Sequence, residues 1–267
     1  MKILTNGCSF TGGSEVIHDS KTGKLVNNHQ TTWVTHLAGQ HDIKNIAIGG
    51  NSNNKILRTT VEELEHTEYD FVIVQWTAIH RTERFSEYTN DWVNFCNTDG
   101  IRTDSQSVDI DKNVNLFGWH TDDFANMDTD NPALKTAINN YDQMAKGLTT
   151  DALITKNIQD YRIEFFKNVL TLQHYLERKN IKYLFSSMSF ENHCPNMLDA
   201  MLFDMKLKLL NLERALLKQM DFEKWSKMPM TRMMDGHFVS QDDGHPNEKG
   251  NKLIYNHILK ELNKQNG

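Results

Sequence analysis

Short apolar runs alternate along this chain with longer stretches in which apolar residues recur every three or four positions. Ile3-Leu4, the span from Ile43 to Ile48, Phe71-Val72-Ile73-Val74, and Ile181-Lys182-Tyr183-Leu184-Phe185 are each bounded by Gly, Asn, Asp or Ser. Runs of that length between turn formers predict buried strands. Between them, Asn51 to about Glu65 sets Ile56, Leu57, Val61 and Leu64 on one stripe. Ile158 to Arg178 does the same with Phe165, Phe166, Val169, Leu170, Leu172 and Leu176. Met197 to Met220 reads as another long helix, and a last one runs from about Asn247 to Leu262, with Pro246 at its entrance. Pro suits the first turn of a helix because its missing N–H would find no partner there. Strands alternating with helices predict an α/β fold, a mainly parallel sheet with helices on both faces in three α/β/α layers.

The helical period fades between residues 81 and 157, where Asn, Asp and Thr abound and Trp92, Phe95, Phe117, Trp119 and Phe124 are scattered. That is too long for an ordinary loop. It is expected to be an insertion after the third strand, either a cap at the carboxyl edge of the sheet or a structural excursion. The whole chain, 1–267, is then one domain with 81–157 inside it.

Composition narrows the partners. Hydrophobic residues make up 38% and charged residues 24%, which fits neither a disordered chain nor a membrane protein. The net charge of −6 comes from 29 basic and 35 acidic residues with no long block of either sign, so nucleic acid is not an expected partner. Cys8, Cys96 and Cys194 are odd in number and widely spaced, which suggests neither a disulfide framework nor a metal site. The 12 histidines lack the paired spacing of a zinc site, and Gly12-Gly13 and Gly49-Gly50 lack a phosphate-loop pattern. No cofactor and no metal are expected. The opening residues carry one Lys and too short an apolar stretch for a secretion signal, so a cytoplasmic location is expected, compatible with a phage-encoded or particle-associated protein.

Two segments carry candidate chemistry. Ser9 follows the first strand through Gly7-Cys8-Ser9-Phe10-Thr11-Gly12-Gly13, and so belongs at the carboxyl end of that strand, where α/β sheets place their ligands. A serine hydroxyl needs a base within hydrogen-bond reach and a third group to hold that base. Asp242-Asp243-Gly244-His245-Pro246-Asn247 offers both, because an Asp three residues before a His can fold back onto its Nδ1–H and leave Nε2 for the serine. Asp235-Gly236-His237 mimics this segment but has Met234 where the acid would stand, leaving His237 a weaker alternative to His245. Cys8, beside Ser9, is either an alternative nucleophile or a small buried thiol. Trp76 and Trp92 either stack on a sugar or belong to a core.

Gly7-Cys8-Ser9-Phe10-Thr11 is similar to the Gly-Asp-Ser-Leu block of the SGNH/GDSL hydrolases, and Asp242-Asp243-Gly244-His245 resembles their closing Asp-x-x-His block, in the same order. The resemblance implies the three-layer SGNH fold with a flavodoxin-like parallel sheet and a triad of Ser9, His245 and Asp242. It also implies an oxyanion hole of the Ser9 amide, a glycine after the second strand and an asparagine after the third. Gly50, or failing it Gly49, matches the glycine. The asparagine is replaced, because Gln75-Trp76-Thr77-Ala78-Ile79-His80-Arg81 stands there; Thr77 is the first candidate, with His80 and Arg81 as alternatives. The implied activity is hydrolysis of small acyl esters, O-acetyl groups on carbohydrate included. Its rivals are an O-acyltransferase using the same triad and a non-catalytic glycan-binding relative. The expected partner is a small-molecule or glycan ester, with no membrane.

Overall fold

Ile3 and Leu4 stand on opposite faces of the first strand, β1 (Lys2–Asn6), and both are wholly buried, which requires a layer on each side. The structure is a computed structural model that describes residues 1–13, 17–18, 25–26, 32–79, 81–86, 91–97, 114–115, 158–202, 208–239 and 244–266. After β1 come α1 (Ser9–Gly12), β2 (Ile17–His18), β3 (Leu25–Val26), α2 (Trp33–Ala38), β4 (Asp42–Asn45), α3 (Asn53–His66) and β5 (Phe71–Trp76). Next are β6 (Thr82–Ser86), β7 (Asp91–Asn97), β8 (Val114–Asn115), α4 (Ile158–Arg178) and β9 (Lys182–Ser187). The chain closes with α5 (Cys194–Leu202), α6 (Asn211–Leu217), α7 (Met230–Met233) and α8 (Glu248–Asn266).

The main sheet has four strands in the order β4-β1-β5-β9, all parallel, with Ile3 opposite both Ile43 and Phe71 and Val72 opposite Tyr183. The chain steps from β1 to one neighbour, β4, then crosses back to the other, β5. That reversal is a topological switch point, and it opens a crevice at the carboxyl end of β1. Alternate residues feed two cores. Leu4, Val72, Val74, Trp76, Tyr183 and Phe185 pack under α3, α4, α5 and α6. Ile3, Phe71, Ile73 and Leu184 pack under α1, α2, α7 and α8. Each large apolar side chain buried this way contributes roughly 1.5–3 kcal/mol before entropy is set against it. Trp76 sits edge-on to Phe165 and Phe185 with no exposure, so it is a core residue and cannot stack on a sugar. The side chain of Trp92 lies outside what is described.

The expected single helix from Met197 to Met220 is two helices, α5 and α6. Between them Leu210 is extended (φ −65°, ψ 158°), its N–H donated to Glu213 Oε2. Glu213 is fully buried, and Arg162 on α4 donates to its other oxygen at 2.5 Å. A buried carboxylate must be paired, and the helix starts where that pairing allows. Residues 203–207 lie outside the described set. Of the expected insertion, the described part is β6, β7 and β8, which form an antiparallel sheet. Arg58 on α3 bonds Glu83 of β6 through Nε at 3.2 Å and Nη2 at 3.1 Å. No described helix is long and apolar enough to cross a membrane.

His193, after β9, is buried, with Nδ1 sharing a 2.9 Å hydrogen bond with Ser187 Oγ and its ring edge-on to Trp225. Burial pushes its pKa down to about 4, outweighing an opposing contribution from the Ser226 backbone. The unfolded chain therefore binds this proton more readily than the folded one. His193 leaves stability untouched above about pH 6.5 and costs on the order of 3 kcal/mol by pH 4. Urea midpoints measured from pH 7 to pH 4 should fall steeply in wild type and less steeply in His193→Gln.

Candidate active site

Ser9 opens the short helix α1, and its position follows from the amides of the turn before it. Gly7 N–H is donated to Asn6 Oδ1 at 2.8 Å and Cys8 N–H to Gln75 Oε1 at 3.0 Å. The N–H groups of Thr11 and Gly12 go to Cys8 O at 2.9 and 2.8 Å, and that of Gly13 to Ser9 O at 2.9 Å. The Phe10 amide faces the Cys8 sulfur. Among the described residues no acceptor takes the Ser9 N–H. Gly12 has to be glycine, because a Cβ there would lie 2.7 Å from Ala47 O. That close approach lays the loop after β4 against the Ser9 turn, with Gly50 at φ +75° and a Cβ on Gly49 only 3.9 Å from Ser9 Cβ.

His245 arrives from the other end of the chain. Val239 N–H bonds His245 O at 2.9 Å and Asn247 N–H bonds His237 O at 3.1 Å, so 237–239 and 245–247 pair as two short antiparallel segments. Asn247 Oδ1 accepts the Gly250 N–H at 3.0 Å and caps α8. His245 Nε2 comes to 2.7 Å from Ser9 Oγ, and its ring lies 5.5 Å, centroid to centroid, from Phe10. That separation suits a proton transfer between base and hydroxyl. Asp242, the expected orienter, and His80, one alternative oxyanion donor, lie outside the described residues. His237 takes part in the turn through its backbone.

The four loops leaving the sheet are joined by amide side chains. Asn51 Nδ2 donates to Gly7 O at 2.9 Å. Asn53 Oδ1 accepts Thr77 N–H at 2.9 Å, while its Nδ2 donates to Thr77 O and Ala78 O, both at 3.2 Å. Asn192, after β9, also donates to Thr77 O. Thr77 is fully buried, and its hydroxyl accepts from Arg81 Nη1 at 2.8 Å. Its backbone N–H is therefore spent, and its hydroxyl proton is directed at the Cys8 sulfur. Cys8 is fully buried too, its S–H donated to Gln75 Oε1 at 3.3 Å, so the thiol faces the core rather than the crevice. Burial raises its pKa, but the Arg81 charge, the Phe10 amide and the Thr77 hydroxyl outweigh that and leave it below the ordinary value. Among the described residues no group of three or more His, Cys, Asp or Glu could hold a metal.

Gln75, Asn51, Asn53 and Asn192 were not singled out from sequence. The one available signal was Gln75 itself, an amide within the apolar run of β5.

No protein-family model and no curated protein matches the chain. Solved structures do. The chain is similar to G-D-S-L lipolytic proteins and esterases. A protein assigned to the lipolytic G-D-S-L family of Desulfitobacterium hafniense aligns at 10% identity and TM-score 0.45, covering 98% of this chain and 99% of its own. An esterase from Pseudoalteromonas sp. aligns at 14% identity and TM-score 0.43, covering 98% and 97%. A catalytic mutant of an acetylxylan esterase from Geobacillus stearothermophilus aligns at 12% and 0.42, covering 98% and 93%. Likenesses of this size say nothing about which reaction the chain runs.

Asn53→Ala would leave the buried Thr77 N–H without its acceptor, a loss of roughly 1–3 kcal/mol. Its urea unfolding midpoint should fall accordingly, whereas Asn54→Ala on the half-buried neighbouring position should change it by less.

Proposed function

We propose that this chain is a serine esterase of the SGNH/GDSL kind, hydrolysing small acyl esters such as O-acetyl groups on carbohydrate. The observation that carries the reading is the 2.7 Å contact between Ser9 Oγ and His245 Nε2 at the carboxyl edge of a parallel sheet. His245 takes the hydroxyl proton as Ser9 attacks the ester carbonyl, then returns it to the departing alcohol. Asp242 is the group assigned to hold the imidazole in the tautomer that leaves Nε2 bare. Negative charge gathers on the carbonyl oxygen only in the transition state, so donors aimed at that position accelerate the reaction, each by roughly 10²–10³. The Ser9 and Gly50 amides are assigned this part. The third donor is the Arg81 guanidinium, or the Thr77 hydroxyl that it hydrogen-bonds once that proton turns away from the Cys8 sulfur. Water then attacks the acyl-serine with His245 again as base, and no cofactor enters.

The test is turnover of p-nitrophenyl acetate and of acetylated oligosaccharides by wild type, Ser9→Ala, His245→Ala and Cys8→Ala, together with fluorophosphonate labelling. Ser9→Ala and His245→Ala should each lose ~10³-fold or more in kcat, and Cys8→Ala should keep most of it. Full activity in Ser9→Ala would sink the mechanism. Acyl transfer to an added alcohol in preference to water would make the protein a transferase. Glycan binding by an unlabelled, inactive wild type would make it a lectin-like relative.

A further inference from the structure

We infer that Gln75 is a positioning residue for the nucleophile: its buried amide fixes the turn that holds Ser9 Oγ against His245 and leaves the Ser9 N–H open. This rests on the esterase reading for its consequence in rate, but not for the geometry. Gln75 is fully buried at the carboxyl end of β5, one strand over from β1. A buried amide without partners is costly, and this one is satisfied at both ends. Oε1 accepts from Cys8 N–H at 3.0 Å, Thr11 Oγ1 at 3.1 Å and Cys8 Sγ at 3.3 Å, while Nε2 donates to Trp76 O at 2.7 Å. The amide has one acceptable orientation. Turned over, its oxygen would oppose Trp76 O and its NH2 would oppose the Cys8 N–H.

The groups that Gln75 holds bracket Ser9, Cys8 directly before it and Thr11 two residues after. Gly7 completes the fit, since a Cβ there would lie 2.7 Å from Gln75 Oε1 and 2.8 Å from Thr11 Oγ1. With the Cys8 amide tied to Gln75 and those of Gly7, Thr11, Gly12 and Gly13 tied elsewhere, the turn cannot rotate without breaking several bonds. Remove the acceptor, and the Cys8 N–H is buried and unpaired. The turn then relaxes toward another partner and carries Ser9 with it. A displacement of about 1 Å at a reacting atom is enough to cost ~10²-fold.

Two variants separate positioning from bulk stability. Gln75→Met keeps the length and removes the amide. Gln75→Glu, as the neutral acid, keeps an acceptor for Cys8 N–H and a donor for Trp76 O, and loses that donor on ionising. On p-nitrophenyl acetate, Gln75→Met should lower kcat by roughly 10- to 100-fold with KM within about threefold. Fluorophosphonate labelling should slow by the same factor. Gln75→Glu should recover most of this at low pH, and its rate relative to wild type should fall as pH rises. A Gln75→Met protein within about twofold of wild type per folded molecule, or a Gln75→Glu protein as impaired as it at every pH, overturns the inference. If wild type itself neither turns over ester nor labels, the esterase reading falls. Positioning is then decided by the crystal structure of Gln75→Met. A Ser9 Oγ to His245 Nε2 separation beyond about 3.5 Å supports it, and an unchanged hydrogen bond overturns it.

Discussion

A parallel sheet buried on both faces releases its chain at one edge into loops whose backbone N–H and C=O groups have no strand to pair with. Those groups must still be satisfied away from water. Here primary amides do it. Like a peptide unit, an Asn or Gln side chain offers a donor and an acceptor a few ångströms apart, so it can pair with a loop as a neighbouring strand would. Asn53 grips both the N–H and the C=O of Thr77 in this way. Asn6 does it between β1 and α3, accepting from Gly7 N–H while donating to Ile56 O, Thr59 and Thr60. Asn45 ties the loop after β4 to Thr11 O at 3.2 Å. The carboxyl edge is thereby as well specified as the sheet beneath it.

That specification lets residues 236 positions apart meet at 2.7 Å. Ser9 is held by β1 and Gln75, His245 by its pairing with Val239 and by the cap of α8, and the two supports share one core. Phe10 of the turn and Ile254, Ile258 and Leu262 of α8 belong to the same buried cluster. Asn251 fastens the start of α8 to α2, its Oδ1 accepting Trp33 N–H at 3.1 Å and its Nδ2 donating to Pro246 O at 3.1 Å. Two side chains supported by one packed body keep their distance without a separate ordering cost.

The elements that sequence disclosed best are those whose pattern is set by one environment. The strand Phe71–Trp76 is wholly buried and reads as a continuous apolar run, and helix Ile158–Arg178 repeats its buried stripe from end to end. The region from Met197 to Met220 misled because Leu209, Leu210, Leu216 and Leu217 continue a helical spacing across the break. At the start of the second helix Glu213 pairs with Arg162, 51 residues away, a partner that no local spacing reveals. That Ser9 and His245 would meet was legible because each sits in a glycine-bearing turn at the expected end of the chain. Gln75 and Asn53 were not, because a polar residue at the end of an apolar run reads as a boundary. Nothing in its spacing says that it points inward, or that its partner lies 67 or 24 residues off.

Cys8 is fully buried, whereas its neighbour Ser9 is only partly so. Ser9 Oγ meets His245, whereas Cys8 meets Gln75 and, at 3.9 Å, Met188 in the core. A wholly buried thiol ought to resist ionising, yet the positive charge of Arg81 and the hydrogen bonds around the sulfur reverse the expected direction. The surroundings of the Cys8 sulfur therefore favour negative charge in spite of its burial. Arg81, hydrogen-bonded to Thr77 Oγ1 at 2.8 Å, is the group that brings this positive charge toward the sulfur.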